Sequence, residues 1–381
     1  MLKTEKYIES INSIIDLEYK SIKKQFSNIE LLLYYYSLYK VLKKPKYSIQ
    51  FEIVLNEFIT ELTNYSSINQ TFCDNFINGL YILPDIDSEK PLEINIKQKI
   101  ETVEQDLFKL SLKLLQQKDS NQLQRITSVI NYFILRLPNA TIENYLLKLL
   151  PFIYRFIEKY ISGSKKNVEC TETFYLGFSQ GLAGILHSLV SINVAGIKDD
   201  KTNQVLTAAL KFILSLKREI DFTPGKYAMF PYSVDKCNNE ICFSSELTWA
   251  NSDLNHCILF YKSDQVLNNQ NLHRIADLIG LNTLIRKDIT STQIIGSNFN
   301  KGAAGVAQTY RNMFELSKLD AYWEGYEYWI QKTIYLVEQE LNDNKQSLLN
   351  TDMLNGIMGV NLTLLSYISE DELSWNKMLF P

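Results

Sequence analysis

The side chains best suited to metal or thiol chemistry are few: five cysteines (Cys73, Cys170, Cys237, Cys242, Cys257) and three histidines (His187, His256, His273) in 381 residues. No two cysteines form a C-x-x-C pair, and their odd number fits reduced cytosolic thiols better than a disulfide framework. Cys237 and Cys242 flank a turn, which is weak support for a metal or redox role. His256 and Cys257 are neighbours, but successive residues on a helix point about 100° apart, which makes a poor chelate.

The elements that would position any such group are helices. Apolar residues recur at i, i+3, i+4 and i+7 in "NIELLLYYYSLYKVL", "QLQRITSVINYFILRL" and "IENYLLKLLPFIYRFIEKYI", among others. These stretches are rich in Ile, Tyr and Phe, against helix propensity, which points to helices packed on both sides in a layered all-α fold. Pro84 and Pro91 are read as bracketing a loop, and Pro138 as separating two helices. The stretch Lys226–Ser245 alternates on either side of the turn-prone "DKCNNE" and predicts a short inserted β-hairpin.

One device recurs: Gly-x-x-Gly opening an apolar helix, at Gly181/Gly184, Gly302/Gly305 and Gly356/Gly359. A fourth copy carries Ser252 and Asn255 at the glycine positions. The copies lie about 50 to 70 residues apart, a spacing of helix-pair repeats. Two glycines one turn apart let a neighbouring backbone come close. They are also expected to leave free N–H groups and a positive dipole end facing a common central mouth.

With these turns in view, the sequence resembles the lanthionine synthetase C-like (LanC-like) family. The carrying segments are "YLGFSQGLAGI", "SSELTWANSDL", "FNKGAAGVAQTY" and the closing "LLNTDMLNGIMGVNLTLLSYISEDELSWNKMLF", in which Trp375 takes the tail position. The resemblance implies an α/α-toroid, a barrel of inner and outer helices. It is read as one domain over 1–381, with a diverged N-terminal half (1–165) and a better-matching half (170–381).

The resemblance also implies a zinc site of two cysteines and a histidine that activates a substrate thiol for addition to a dehydroamino acid. Here that signature is replaced. Trp249 keeps the family's tryptophan, but Ala250 stands for the cysteine, Asn251 for the tyrosine and Ser252 for the glycine. Asn300 and Lys301 stand for Cys-His. Gln180 takes the place of a histidine, Glu246 that of an arginine, and Asp106 is aligned with an acid of the second repeat. The expected site is therefore a vestigial mouth of Asp106, Gln180, Glu246, Trp249, Ala250, Asn251, Asn300 and Lys301, with no metal and no zinc cofactor. Lys301 is expected to pair with Glu246, Asp253 or Asp106 where the metal would be.

The expected function is that of a pseudoenzyme of lanthipeptide-type peptide modification, bound to a precursor peptide or a partner modifying enzyme (a dehydratase or cyclase). Two alternatives stand beside it: a metal-independent enzyme using Lys301, Glu246 or Asp106 as base, and an unrelated α/α-toroid enzyme. A net charge of −4 without a basic stripe argues against nucleic acid. No stretch is long and apolar enough to be an integral membrane segment, and no signal-peptide pattern opens the chain, so a cytoplasmic location is expected.

Overall fold

The computed structural model describes residues 2–22, 29–66, 76–117, 122–162, 173–179, 181–235, 240–343, 350–369 and 371–380. Its helices are α1 (Leu2–Ile22), α2 (Ile29–Leu42), α3 (Pro45–Thr63), α4 (Leu83–Glu89), α5 (Ile94–Gln117), α6 (Leu123–Leu135) and α7 (Ala140–Ser162). Beyond the midpoint come α8 (Leu182–Val194), α9 (Asp200–Ser215), α10 (Asp253–Leu267), α11 (Gln270–Leu284), α12 (Ile289–Thr292), α13 (Ala303–Ser317), α14 (Asp320–Asn342), α15 (Ile357–Ile368) and α16 (Ser374–Leu379). A further helical turn covers residues 76–80.

Two kinds of helix sort into two layers. Every residue of α8 from Leu182 to Ile192 is buried, and α15 is buried continuously from Ile357 to Ser366. A helix apolar on all sides can only be an inner one. By contrast α7 buries a stripe (Ile142, Leu146, Leu149, Leu150, Ile153) and turns Glu143, Leu147 and Arg155 to solvent. The inner helices pack side by side in the order α6, α8, α10, α13, α15, α2, and around them α1, α3, α5, α7, α9, α11 and α14 form the outer layer.

The ring closes between the ends of the chain. Asn361 Nδ2 on α15 donates to Tyr34 Oη on α2 at 2.6 Å and to Ile8 O on α1 at 3.1 Å. On the other side Asn131 Nδ2 of α6 donates to Met378 O of the C-terminal helix at 3.3 Å. The diverged N-terminal half therefore completes the toroid.

Some local readings change. Residues 83–89 form a helix with Pro84 in its first turn, where a missing N–H costs nothing, rather than a loop. The hairpin is present as β2 (Ser233–Asp235) and β3 (Glu240–Cys242), and the strand β1 (Thr173–Tyr175) joins it in a 3-stranded antiparallel sheet of order β1-β2-β3. Residues 226–232 are not part of it.

Candidate functional site

The glycine turns are loops that fold back over the helices they start. Ala183 N and Gly184 N of α8 donate to Leu176 O and Gly177 O at 3.1 and 3.2 Å; Ala303 N and Ala304 N of α13 donate to Gly296 O and Ser297 O at 3.0 and 3.2 Å. The first N–H groups of these helices are thus taken up by their own loops and are not free, contrary to the sequence expectation. The second glycine of each copy lies under the carbonyl six residues earlier. A methyl on Gly184, Gly305 or Gly359 would overlap Phe178 O, Phe299 O or Met353 O.

At the fourth copy a side chain replaces that close approach. Asn255 Nδ2 donates to Trp249 O, again six residues earlier, at 2.7 Å, and Asn255 Oδ1 accepts from Ser252 N at 2.8 Å. Ser252 and Asn255 form a capping box on α10.

Consecutive turns are then joined to each other by backbone hydrogen bonds. Phe178 N and Ser179 N donate to Ala250 O at 3.0 and 3.1 Å, Ala250 N to Asn300 O at 3.2 Å, and Asn300 N to Leu354 O at 2.7 Å. Gly177 is required here, since a Cβ would overlap Ala250 O and Asn251. Ala250 and Asn300, fifty positions apart in the chain, are therefore direct neighbours at one face of the ring.

The positions a zinc ion would use offer it no donor set. Ala250 has no ligating atom, Asn300 offers only an amide oxygen, a poor zinc ligand, while its Nδ2 donates to Asn355 Oδ1 at 2.8 Å, and the exposed Lys301 carries an ammonium that repels a cation. Nor do His256 and Cys257 converge. His256 packs against Phe230 with its ring tilted by 50° (4.6 Å between centroids), while Cys257 Sγ donates to Ala276 O at 3.2 Å, its thiol pKa raised by burial. Among the described residues no group of three His, Cys, Asp or Glu is placed to hold a metal ion. Gln180, Cys73, Cys170 and Cys237 lie outside the described residues.

The expected pairing of Lys301 does not form: among the described residues it makes no ion pair within 4.0 Å. Each carboxylate proposed for it is otherwise placed. Asp253 is buried, accepting from Met229 N and Phe230 N at 2.9 and 3.0 Å, with Arg286 NH1 at 3.5 Å. Asp106 lies on the outer helix α5, bonded to Tyr65 Oη (2.7 Å) and Lys109 Nζ (3.1 Å), and is not brought to the mouth. Glu246 is half-buried and forms no ion pair among the described residues. Asn251 reaches the β-sheet side, donating to Tyr232 O at 3.2 Å.

The buried pair Asp253–Arg286 is a feature the sequence reading missed. Arg286 is 2% exposed and also donates to Ser245 O at 2.6 Å and Ser291 O at 2.9 Å, so one side chain ties two further segments to the start of α10. Burial raises the Asp253 carboxyl pKa, and Arg286 and two backbone N–H groups oppose that rise.

Beside the joined turns, the ring holds a cavity of about 360 Å³ between residues 77–78, the start of α6, α8, the turn at 352–355 and the C-terminal helix. Phe178, Ser179, Trp249 and Leu354 form its boundary with the joined turns.

An inner ring of buried helices inside an amphipathic outer ring defines an α/α-toroid, with glycine turns gathered at one face. The chain belongs to the lanthionine synthetase C-like family, whose description "Lanthionine synthetase C-like protein" it matches over residues 31–380. Its structure is similar to that of "Nisin cyclase", with a TM-score of 0.75 over 98% of this chain and 97% of that one, at 14% identity. No curated protein matches the sequence. No helix among the described residues is long and apolar enough to cross a membrane.

Proposed function

We propose that this chain is a LanC-like pseudoenzyme of lanthipeptide-type modification, one that keeps the toroid without the zinc chemistry. It would act in the cytoplasm by binding a precursor peptide or a partner modifying enzyme. One observation carries the reading: Ala250 and Asn300 are held together by a backbone hydrogen bond where ligands would meet, and Ala250, Asn300 and Lys301 supply neither a thiolate nor an imidazole there. The family membership and the likeness to nisin cyclase support the peptide-modification setting.

Without a Lewis acid the addition of a thiol to a dehydroamino acid would lack its means of lowering the thiol pKa. A dehydrated, cysteine-containing precursor incubated with the protein is therefore expected to keep every thiol open to alkylation, read by mass spectrometry, while the peptide is retained on the immobilised protein. Loss of alkylatable thiols, dependent on the protein, would show that it is a cyclase after all.

A further inference from the structure

The small sheet has two edges, and only one of them is closed. Leu176 N donates to Tyr232 O at 2.9 Å, so by the antiparallel alternation the main-chain groups of Phe174 and Val234 face each other. Those of Tyr175 then face outward from β1, and α7 covers them: Tyr160 Oη donates to Tyr175 O. On β2 the groups of Ser233 and Asp235 face Cys242 and Glu240, which leaves the N–H and C=O of Ile241 pointing away from the sheet. Among the described residues nothing bonds to either group, and both Glu240 and Ile241 are exposed.

Two rows of side chains cross the sheet, and both stop short at β3. Phe174, Val234 and Ile241 form an apolar row that runs from 7% exposure at Phe174 to 45% at Ile241. In the next row Asp235 and Glu240 stand directly opposite each other, like charges that repel across a strand pair. Glu240 makes no ion pair among the described residues. A strand added beside β3 would bond to Ile241, extend the apolar row and set a cation against the two carboxylates. The sheet also adjoins the mouth, since Tyr232, directly before β2, accepts from Asn251 Nδ2 at 3.2 Å.

We propose that the open edge of β3 takes up an extended peptide segment of alternating apolar and basic residues as a fourth strand. The assignment rests on the peptide-binding reading above and names where, and by what chemistry, the peptide is held.

The test uses protein labelled with 15N at isoleucine. The Ile241 amide signal is identified by its loss in Ile241→Val. A blocked pentapeptide of alternating valine and lysine is expected to move that signal downfield and saturably. Replacing its lysines by glutamate, or N-methylating its valines, is expected to leave the signal in place. By calorimetry Glu240→Lys, a change at an exposed side chain, should weaken binding of the lysine peptide by about tenfold, the loss of one charge-assisted contact. Ile241→Pro, which removes the outward N–H, should weaken it by about the same factor. An Ile241 signal unmoved by the lysine peptide, or moved equally by the glutamate or N-methylated one, overturns the assignment. A precursor peptide retained by the protein without any change at Ile241 overturns the edge site but leaves the peptide-binding reading in place. Failure to retain any precursor overturns that reading, and the lysine peptide then decides the edge alone.

Discussion

The two sides of the toroid's mouth are built differently. On one side the turns around Gly177, Ala250, Asn300 and Leu354 are joined by main-chain hydrogen bonds. On the other, where the ring passes through residues 76–80 and the start of α6, there is no matching glycine turn, and the space between is a cavity. The joined side owes its geometry to backbone carbonyls, small residues and one capping box. The main-chain bonds that join these turns do not require a particular side chain at 250, 300 or 301. This is why a fold can persist while the residues that would do its chemistry are replaced: position is held by the main chain, and reactivity by side chains.

The comparison can be broken from the joined side first. Arg286→Met removes one partner of a buried ion pair and two hydrogen bonds to backbone carbonyls, and is expected to cost about 3–5 kcal/mol of stability, measured by urea unfolding. Next comes Gly305→Ala, whose methyl would overlap Phe299 O; a backbone clash of this kind should cost about 1–3 kcal/mol. On the cavity side, Gln124→Ala loses only a 3.4 Å contact from Ser179 Oγ and should stay within about 0.5 kcal/mol. Equal losses for Gly305→Ala and Gln124→Ala would remove the distinction between the two sides.

A smaller effect sharpens it through pH. Burial holds the His256 imidazole down at about 3 and His187 well below its usual range. In the unfolded chain both would protonate near pH 6.5. Between there and the folded values the unfolded state binds more protons, so stability present above about pH 6.5 is lost as the pH falls toward 3. The slope is up to about 1.4 kcal/mol per pH unit for each histidine. The urea midpoint should fall across this window, and His256→Leu should flatten the fall relative to the parent; identical slopes would contradict it.

Much of this was readable in the sequence, and the failures have physical causes. The Gly-x-x-Gly turns announced the repeat, and helical stretches rich in Ile, Tyr and Phe announced a layered all-α fold. The Ser252/Asn255 copy was recognisable because a polar pair can replace a close glycine approach. Asp106 was placed at the mouth because its repeat was sought in "VEQDLFKLSLKLL"; that stretch is an outer helix, and the inner one starts at Gln122 without a glycine to mark it. The Lys301 pairing failed because Asp253 is claimed by Arg286, 33 positions further on, a long-range contact that no local pattern encodes. The strand β1 is only 3 residues long, too short for alternation to register.

The central claim is that side chains alone separate this ring from a zinc site. The most direct measurement is the zinc content of the purified protein, by elemental analysis after dialysis, beside that of a variant carrying Ala250→Cys, Asn300→Cys and Lys301→His. The account predicts no stoichiometric zinc in the parent and about one equivalent in the triple variant, the three ligands of an open site having been supplied. One equivalent in the parent, or a folded triple variant that binds none, would contradict it.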